Sequence, residues 1–226
     1  MVDKEGLVDI NKQIELFKMI GNTLKGKTEA LVIGGSAMLF YGLKKITKDI
    51  DLVFMSEGDF DDVEDVLRRS GYGEKSGIKI FKHYEVIKKK PVMLEDKGVR
   101  FDLFLKDVIC FEMTESILSR IREVHEFGNL VVRVVSPEDI ILLKCATERK
   151  RDRDDAKEII EKVGVDWNLI IQEVVNQTRK KGYIFSVFLY DFLMDLKEDL
   201  KVDVPKEVIK KVRTIGEREM VKRLGK

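Results

Sequence analysis

Near Ser136 the hydrophobic pattern of this 226-residue chain changes period. Before that point, short apolar runs have the length and alternation of strands: Ala30-Leu31-Val32-Ile33, Asp49 to Phe54, Phe101 to Leu105 and Leu130 to Val135. After it, apolar residues recur at helical spacing through Arg153 to Val163, Trp167 to Gln177, Tyr183 to Asp199 and Pro205 to Val212. A chain built this way is restricted to an α+β architecture, a mixed sheet backed by helices with a helical region at its C-terminal end. The change of period divides it into residues 1–135 and 136–226. No low-complexity linker marks the join, so a packing seam is expected there and not a flexible hinge. In the first part, Ile10 to Leu24 reads as an amphipathic helix against the sheet, and Ser36 to Tyr41 as a short helix after the first strand. Asp59 to Arg69 reads as a third, closed by Gly71 and Gly73. Short strands are also expected at Lys79 to Lys82 and Glu85 to Lys88.

Within this frame one stretch carries chemistry. Leu31 to Phe54, LVIGGSAMLFYGLKKITKDIDLVF, places the turn Gly34-Gly35-Ser36 ahead of Asp49 and Asp51. Side chains of a strand alternate faces, so the two aspartates project from one side while Ile50 and Leu52 turn to the other. Carboxylates this close repel, and a divalent cation is the usual way to satisfy them. The glycines permit a tight turn close to a ligand, and Ser36 stands where a helix should start. A helix start beside a cation site suits a polyphosphate, held at one end by backbone N–H groups and at the other by metal. The same residues would equally make an ordinary strand-to-helix turn next to acids on an exposed edge. A third acid, Asp102, lies in the alternating strand Val99 to Leu105. Should that strand pair beside the first, three carboxylates converge, enough to hold two Mg²⁺ ions about 4 Å apart.

Gly34-Gly35-Ser36, then Asp49-Ile50-Asp51, then Asp102 between apolar neighbours resembles the catalytic pattern of the DNA polymerase beta superfamily of nucleotidyltransferases. Thr47-Lys48-Asp49-Ile50-Asp51 resembles the AbiEii-like toxin branch of that superfamily. The resemblance covers about residues 27 to 160. It implies a Mg²⁺-dependent enzyme that moves a nucleotidyl group from a nucleoside triphosphate to a hydroxyl acceptor with release of pyrophosphate. It further implies that Gly34, Gly35, Ser36 and Lys48 contact the nucleotide and that Asp49 and Asp51 ligate the metal. Asp102 would ligate metal and take the proton of the acceptor. Where the branch often carries arginine two positions before the threonine, this chain has Lys45, which keeps the charge without the forked donor geometry.

Downstream, Ser136-Pro137-Glu138-Asp139 is a helix start, with a serine cap, a proline in the first turn and acids near the positive end of the helix dipole. The helix that follows carries Lys144 in apolar company, where an ammonium must snorkel or meet an anion. Lys144, Arg151-Asp152 and Asp155 resemble the "lysine, then basic-Asp-x-x-Asp" portion of toxin-like transferases. That implies a phosphate contact for Lys144 and positioning roles for Asp152 and Asp155; a solvated charged turn is the alternative.

Composition bounds the partners. Forty-two basic against 41 acidic side chains leave a formal charge of +1, which gives no general argument for nucleic-acid binding. Residues 203–226 hold eight basic and four acidic residues, compatible with an RNA backbone or with a solvated amphipathic helix. Cys110 and Cys145 sit among apolar residues, as expected of two buried thiols in a reducing compartment. His83 and His125 lie in segments of mixed charge and suit structural roles. With no targeting segment and no membrane span in the sequence, a cytoplasmic protein is expected. Two further functional classes fit the pattern: a nucleotide-binding module without turnover, and an RNA- or protein-interaction subunit. The implied partners are a nucleoside triphosphate and, through the resemblance, tRNA or an antitoxin protein.

Overall fold

A computed structural model describes residues 6–75, 91–121, 123–147 and 149–225. The chain is a mixed α+β protein, with a central sheet flanked by helices and a C-terminal helical region. It forms two compact units. One comprises the residues up to Ile109 together with Met113–Val135, the other Cys110–Glu112 together with the chain from Ser136 onward. The strands expected at Lys79 to Lys82 and Glu85 to Lys88, and His83 with them, lie outside the described residues.

The first unit begins with α1 (Ile10–Thr23), capped by Asp9, whose carboxylate accepts from the Lys12 N–H at 2.8 Å. Strand β1 (Thr28–Val32) leads into α2 (Gly34–Phe40), β2 (Asp49–Phe54) and α3 (Glu57–Arg69). Then come β3 (Gly73–Glu74), β4 (Val92–Asp96), β5 (Val99–Leu105) and the short β6 (Asp107–Val108). The unit resumes with α4 (Glu115–Ser119), β8 (Glu123–Phe127) and β9 (Leu130–Val134). Seven of these strands form one sheet in the order β3-β4-β5-β2-β1-β9-β8. The ladders β1–β9 and β2–β5 are parallel, whereas β1–β2, β4–β5 and β8–β9 are antiparallel.

Alternation along the central strands decides which face is dry. Ile50 and Leu52 of β2 and Phe101 and Leu103 of β5 are wholly buried, and α3 packs over this side: Phe60 of the helix meets Phe54, and Tyr72, just past its end, meets Phe101, edge to face at 5.7 and 5.3 Å. The opposite side of the same residues carries Asp49, Asp51, Arg100 and Asp102. At the other end of the sheet α1 lies against the β8–β9 hairpin so closely that a Cβ on Gly21 would sit 1.5 Å from the Phe127 carbonyl oxygen. Only glycine lets the two backbones meet there, and the Asn129 N–H donates to the Gly21 carbonyl at 2.9 Å across the contact.

Helix α2 begins two residues earlier than the serine cap expected at Ser36. Ile33 occupies the cap position, and Ser36 lies inside the helix, wholly buried. Gly34, with φ of +59°, turns the chain directly off β1, so the helix starts at the glycines themselves. Gly73 does not close α3, whose last turn ends at Ser70 and Gly71; it opens β3 instead. Two five-residue strands, β4 and β8, have no counterpart in the hydrophobic pattern, nor do the two-residue β3 and β6. β8 is a sheet edge in which Glu123, Val124, His125 and Glu126 keep substantial exposure, so it lacks a clean apolar alternation. His125 lies flat on Phe40 at 4.5 Å, with its Nε2 2.8 Å from Glu123 Oε1.

The second unit contains β7 (Phe111–Glu112), α5 (Pro137–Lys144), α6 (Lys150–Lys162), α7 (Trp167–Lys181), α8 (Phe185–Glu198) and α9 (Lys206–Leu224). Its core is built on α8, where Phe185, Leu189, Phe192, Leu193 and Leu196 are wholly buried. A side-chain amide accounts for the inclusion of Cys110–Glu112 here. Gln177 donates to the Glu112 carbonyl at 2.7 Å and accepts from the Glu112 N–H at 3.0 Å, as a neighbouring strand would. Phe111 packs on Phe185 at 4.6 Å. Helix α9 continues to Leu224, a dozen residues past the end expected at Val212.

Candidate functional site

The parallel ladder between β2 and β5 sets Asp51 directly across from Asp102 and Asp49 directly across from Arg100. Asp49 and Asp51 thus share one face of two adjacent strands with Asp102, 51 residues further along the chain from Asp51. Asp102 is 5% exposed, and Asp49 and Asp51 are half-buried.

Arg100, which lies in the strand Val99 to Leu105 and carries no role in the sequence pattern, is the centre of this cluster. One terminal guanidinium nitrogen (Nη2) lies 2.6 Å from Asp49 Oδ2 and donates to Asp102 Oδ2 at 3.1 Å. Its Nε lies 2.8 Å from Asp102 Oδ1, an ion pair off the hydrogen-bond axis. The sequence held a signal for this. Arg100 stands two residues before Asp102, so a strand must put both on one side.

The turn before α2 closes against these acids. The Ile33 N–H donates to the Asp51 carbonyl at 3.2 Å, which draws Gly34 against the Asp51 side chain; a Cβ on Gly34 would lie 2.6 Å from Asp51 Oδ2. Gly35 faces Thr47 in the same manner, with a Cβ position 2.5 Å from Thr47 Oγ1. Thr47 itself is fixed by paired backbone hydrogen bonds to Val8, at 2.8 and 2.9 Å. The hydroxyls of Thr47 and Ser36 both donate to the Asp49 carbonyl at 3.2 Å. Ser36 therefore ties α2 to β2, and its side chain is committed to backbone. What the turn offers an anion is the backbone N–H groups of the first helical turn. Lys48 is exposed beside the acids, as is Lys45.

The three acids supply hard oxygen donors of the kind that Mg²⁺ takes. Their side chains are arranged around the guanidinium, and among the described residues no group of three His, Cys, Asp or Glu side chains is gathered about one ion position.

Lys144, Asp152 and Asp155 belong to the helical unit. The Lys144 ammonium is 8% exposed and donates to Asp152 Oδ1 at 2.8 Å and to Asp155 Oδ2 at 2.6 Å. Thr147 donates to the second oxygen of Asp152. The structure brings these three sequence candidates together as a buried ion triad in which two donors of the lysine are already taken.

A family model described as "Nucleotidyl transferase of unknown function (DUF2204)" matches residues 13–225. The chain belongs to that family. Its fold is nucleotidyltransferase-like, of the polymerase-beta superfamily; the match does not reach as far as the AbiEii-like branch that the Thr47–Asp51 motif resembles. The crystal structure of an antigenic nucleotidyltransferase-like protein from Paracoccidioides brasiliensis is similar over 81% of this chain and 94% of that one, at 15% identity and a TM-score of 0.43. No curated protein matches the chain. Among the described residues no helix is long and apolar enough to cross a membrane.

Proposed function

We propose that the chain is a Mg²⁺-dependent nucleotidyltransferase that moves an NMP group from a nucleoside triphosphate to a hydroxyl acceptor. The observation that carries this reading is the register of β2 and β5, which puts Asp51 opposite Asp102 beside the glycine turn of α2. Asp49, Asp51 and Asp102 would hold the metal, and when bound it would neutralise phosphate charge and favour the ionised acceptor oxygen. The backbone N–H groups of Gly34, Gly35 and Ser36 face the terminal phosphates, and Lys48 adds positive charge at the rim. Asp102 accepts the proton of the acceptor hydroxyl. The acceptor oxygen then bonds to the α-phosphorus, the bond from that phosphorus to the bridging oxygen breaks, and pyrophosphate leaves. The Thr47–Asp51 motif favours an acceptor of the kind used by AbiEii-like toxins, a tRNA end or a protein hydroxyl, with an antitoxin protein as regulatory partner.

The test is pyrophosphate release from each ribonucleoside triphosphate with Mg²⁺, in the presence of total tRNA or cell protein, for the native chain, Asp49→Asn and Asp102→Asn. Release confined to the native chain, with label retained on an acceptor, supports the reading. A second reading, nucleotide binding without turnover, is favoured by the engagement of two of the three acids by Arg100. It predicts metal-dependent nucleotide binding with no pyrophosphate release in any mixture.

A further inference from the structure

We infer that Arg100 is a positioning residue that competes with the divalent cation for Asp49 and Asp102, so that metal binds this site only by exchange with the guanidinium. The inference rests on the metal-site reading above and concerns how that site is kept before it is loaded.

Bringing three carboxylates onto one strand face, one of them 5% exposed, is unfavourable unless positive charge compensates them. In this chain the compensation is covalently built in. Arg100 is opposite Asp49 in the ladder and on the same side of β5 as Asp102, so a single side chain, 15% exposed, reaches both. Its contacts fall on Asp49 Oδ2 and on both carboxylate oxygens of Asp102. At Asp102 a cation would therefore meet an oxygen already in contact with the guanidinium. A divalent ion coordinated by either Asp102 oxygen would share it with a guanidinium nitrogen about 3 Å from that oxygen, and two cations bridged by one oxygen repel strongly outside bulk water. Metal and guanidinium therefore exclude one another at Asp102. The apparent affinity for metal is the intrinsic affinity reduced by the fraction of molecules in which Arg100 has left. Once displaced, the guanidinium is free to meet a phosphate, for which its planar fork is well shaped.

A purely structural arginine makes a different prediction. Its loss would lower stability and give nothing in return, whereas loss of a competitor lowers the stability of the metal-free protein and raises affinity for the cation.

The experiment measures Mn²⁺ binding by electron spin resonance and thermal unfolding with and without Mn²⁺. It uses the full chain as native protein, Arg100→Gln, Arg100→Lys and the double variant Arg100→Gln/Asp102→Asn. Arg100→Gln is expected to bind Mn²⁺ at least tenfold more tightly than the native chain, to melt lower without metal and to regain most of the loss when Mn²⁺ is added. Arg100→Lys, which keeps the charge and loses the fork, should fall between them, and it answers the question should Arg100→Gln fail to fold. The double variant should lose the gain. Equal Mn²⁺ affinity in the native chain and the folded Arg100 variants overturns the competition while leaving the metal site standing. Absence of Mn²⁺ binding in every folded form overturns both the competition and the metal-site reading.

Discussion

Replacing Gly34 by alanine separates the backbone role of the glycine turn from its role beside Asp51. The residue has φ of +59°, and its Cβ would stand 2.6 Å from Asp51 Oδ2. Left-handed backbone costs an alanine about 1–2 kcal/mol, a loss of roughly 2–8 °C in Tm for a chain of this size. The steric term acts elsewhere. To reach ordinary contact the Asp51 oxygen must recede by about 0.8 Å, and a carboxylate can do so by rotation at little cost in stability. A metal ligand tolerates displacement by only about 0.2 Å, so the affinity for Mn²⁺ should fall tenfold or more. Gly42→Ala is the matched control. It has nearly the same φ, +66°, and nothing within 4 Å of its Cβ position, so it carries the backbone term alone. Thermal unfolding and Mn²⁺ titration into the millimolar range, run on both variants, should give similar drops in Tm and a loss of affinity in Gly34→Ala alone. Equal affinity in the two variants would refute the claim that the turn sets the position of Asp51.

Further outcomes are expected elsewhere in the molecule. Gly21→Ala drives a Cβ into the Phe127 carbonyl, where only backbone can yield, and should lower the urea midpoint by an amount equivalent to about 3 kcal/mol or more, or abolish folding. Lys144→Ala leaves Asp152 and Asp155 without their ammonium and should cost about 3–5 kcal/mol in denaturant unfolding, as breaking a buried ion pair does. Burial pushes the Cys110 thiol up to about 11 and Cys145 higher still, so both should react slowly with a thiol reagent at pH 8 and release two equivalents together in denaturant. The hydrogen bond from Lys180 holds the Glu112 carboxyl below its ordinary value of 4.5. Its stabilisation is complete above that value and lost as pH falls through the lower folded one, so Glu112→Gln should flatten the acid limb of a Tm-against-pH curve.

The parts of the fold that rest on local pattern were legible in the residues, and the parts that rest on pairing were not. Buried central strands such as β2 and β5 announce themselves through Ile50, Leu52, Phe101 and Leu103, and the α-helices α1, α3 and α8 through their apolar spacing. The strands β4 and β8 do not: β8 is a sheet edge and needs no apolar alternation to pair with its one neighbour, and in β4 the buried residues Met93 and Leu94 are adjacent and do not alternate. At the site, the aspartates could be found because acids in apolar strands are conspicuous. Arg100 could not be given its place from sequence, because its partner Asp49 is chosen by the β2–β5 register, a property of two segments together. Ser36 fits a cap pattern in the sequence, yet the glycines let α2 begin earlier and commit the hydroxyl to the Asp49 carbonyl.

The parallel register of β2 and β5 has a consequence for how accurately the molecule must be made. A slip of one residue would bring Phe101 and Leu103 to the face of the acids and send Arg100 and Asp102 under α3. The same aromatic and aliphatic residues that fill the interior therefore act as the proofreading device of the charged face. An error in alignment would bury ions and expose greasy surface at once, so no half-aligned sheet can present a partly assembled set of acids. The arrangement of Asp49, Asp51, Arg100 and Asp102 is thereby all or nothing, and its fidelity is enforced from the far side of the sheet.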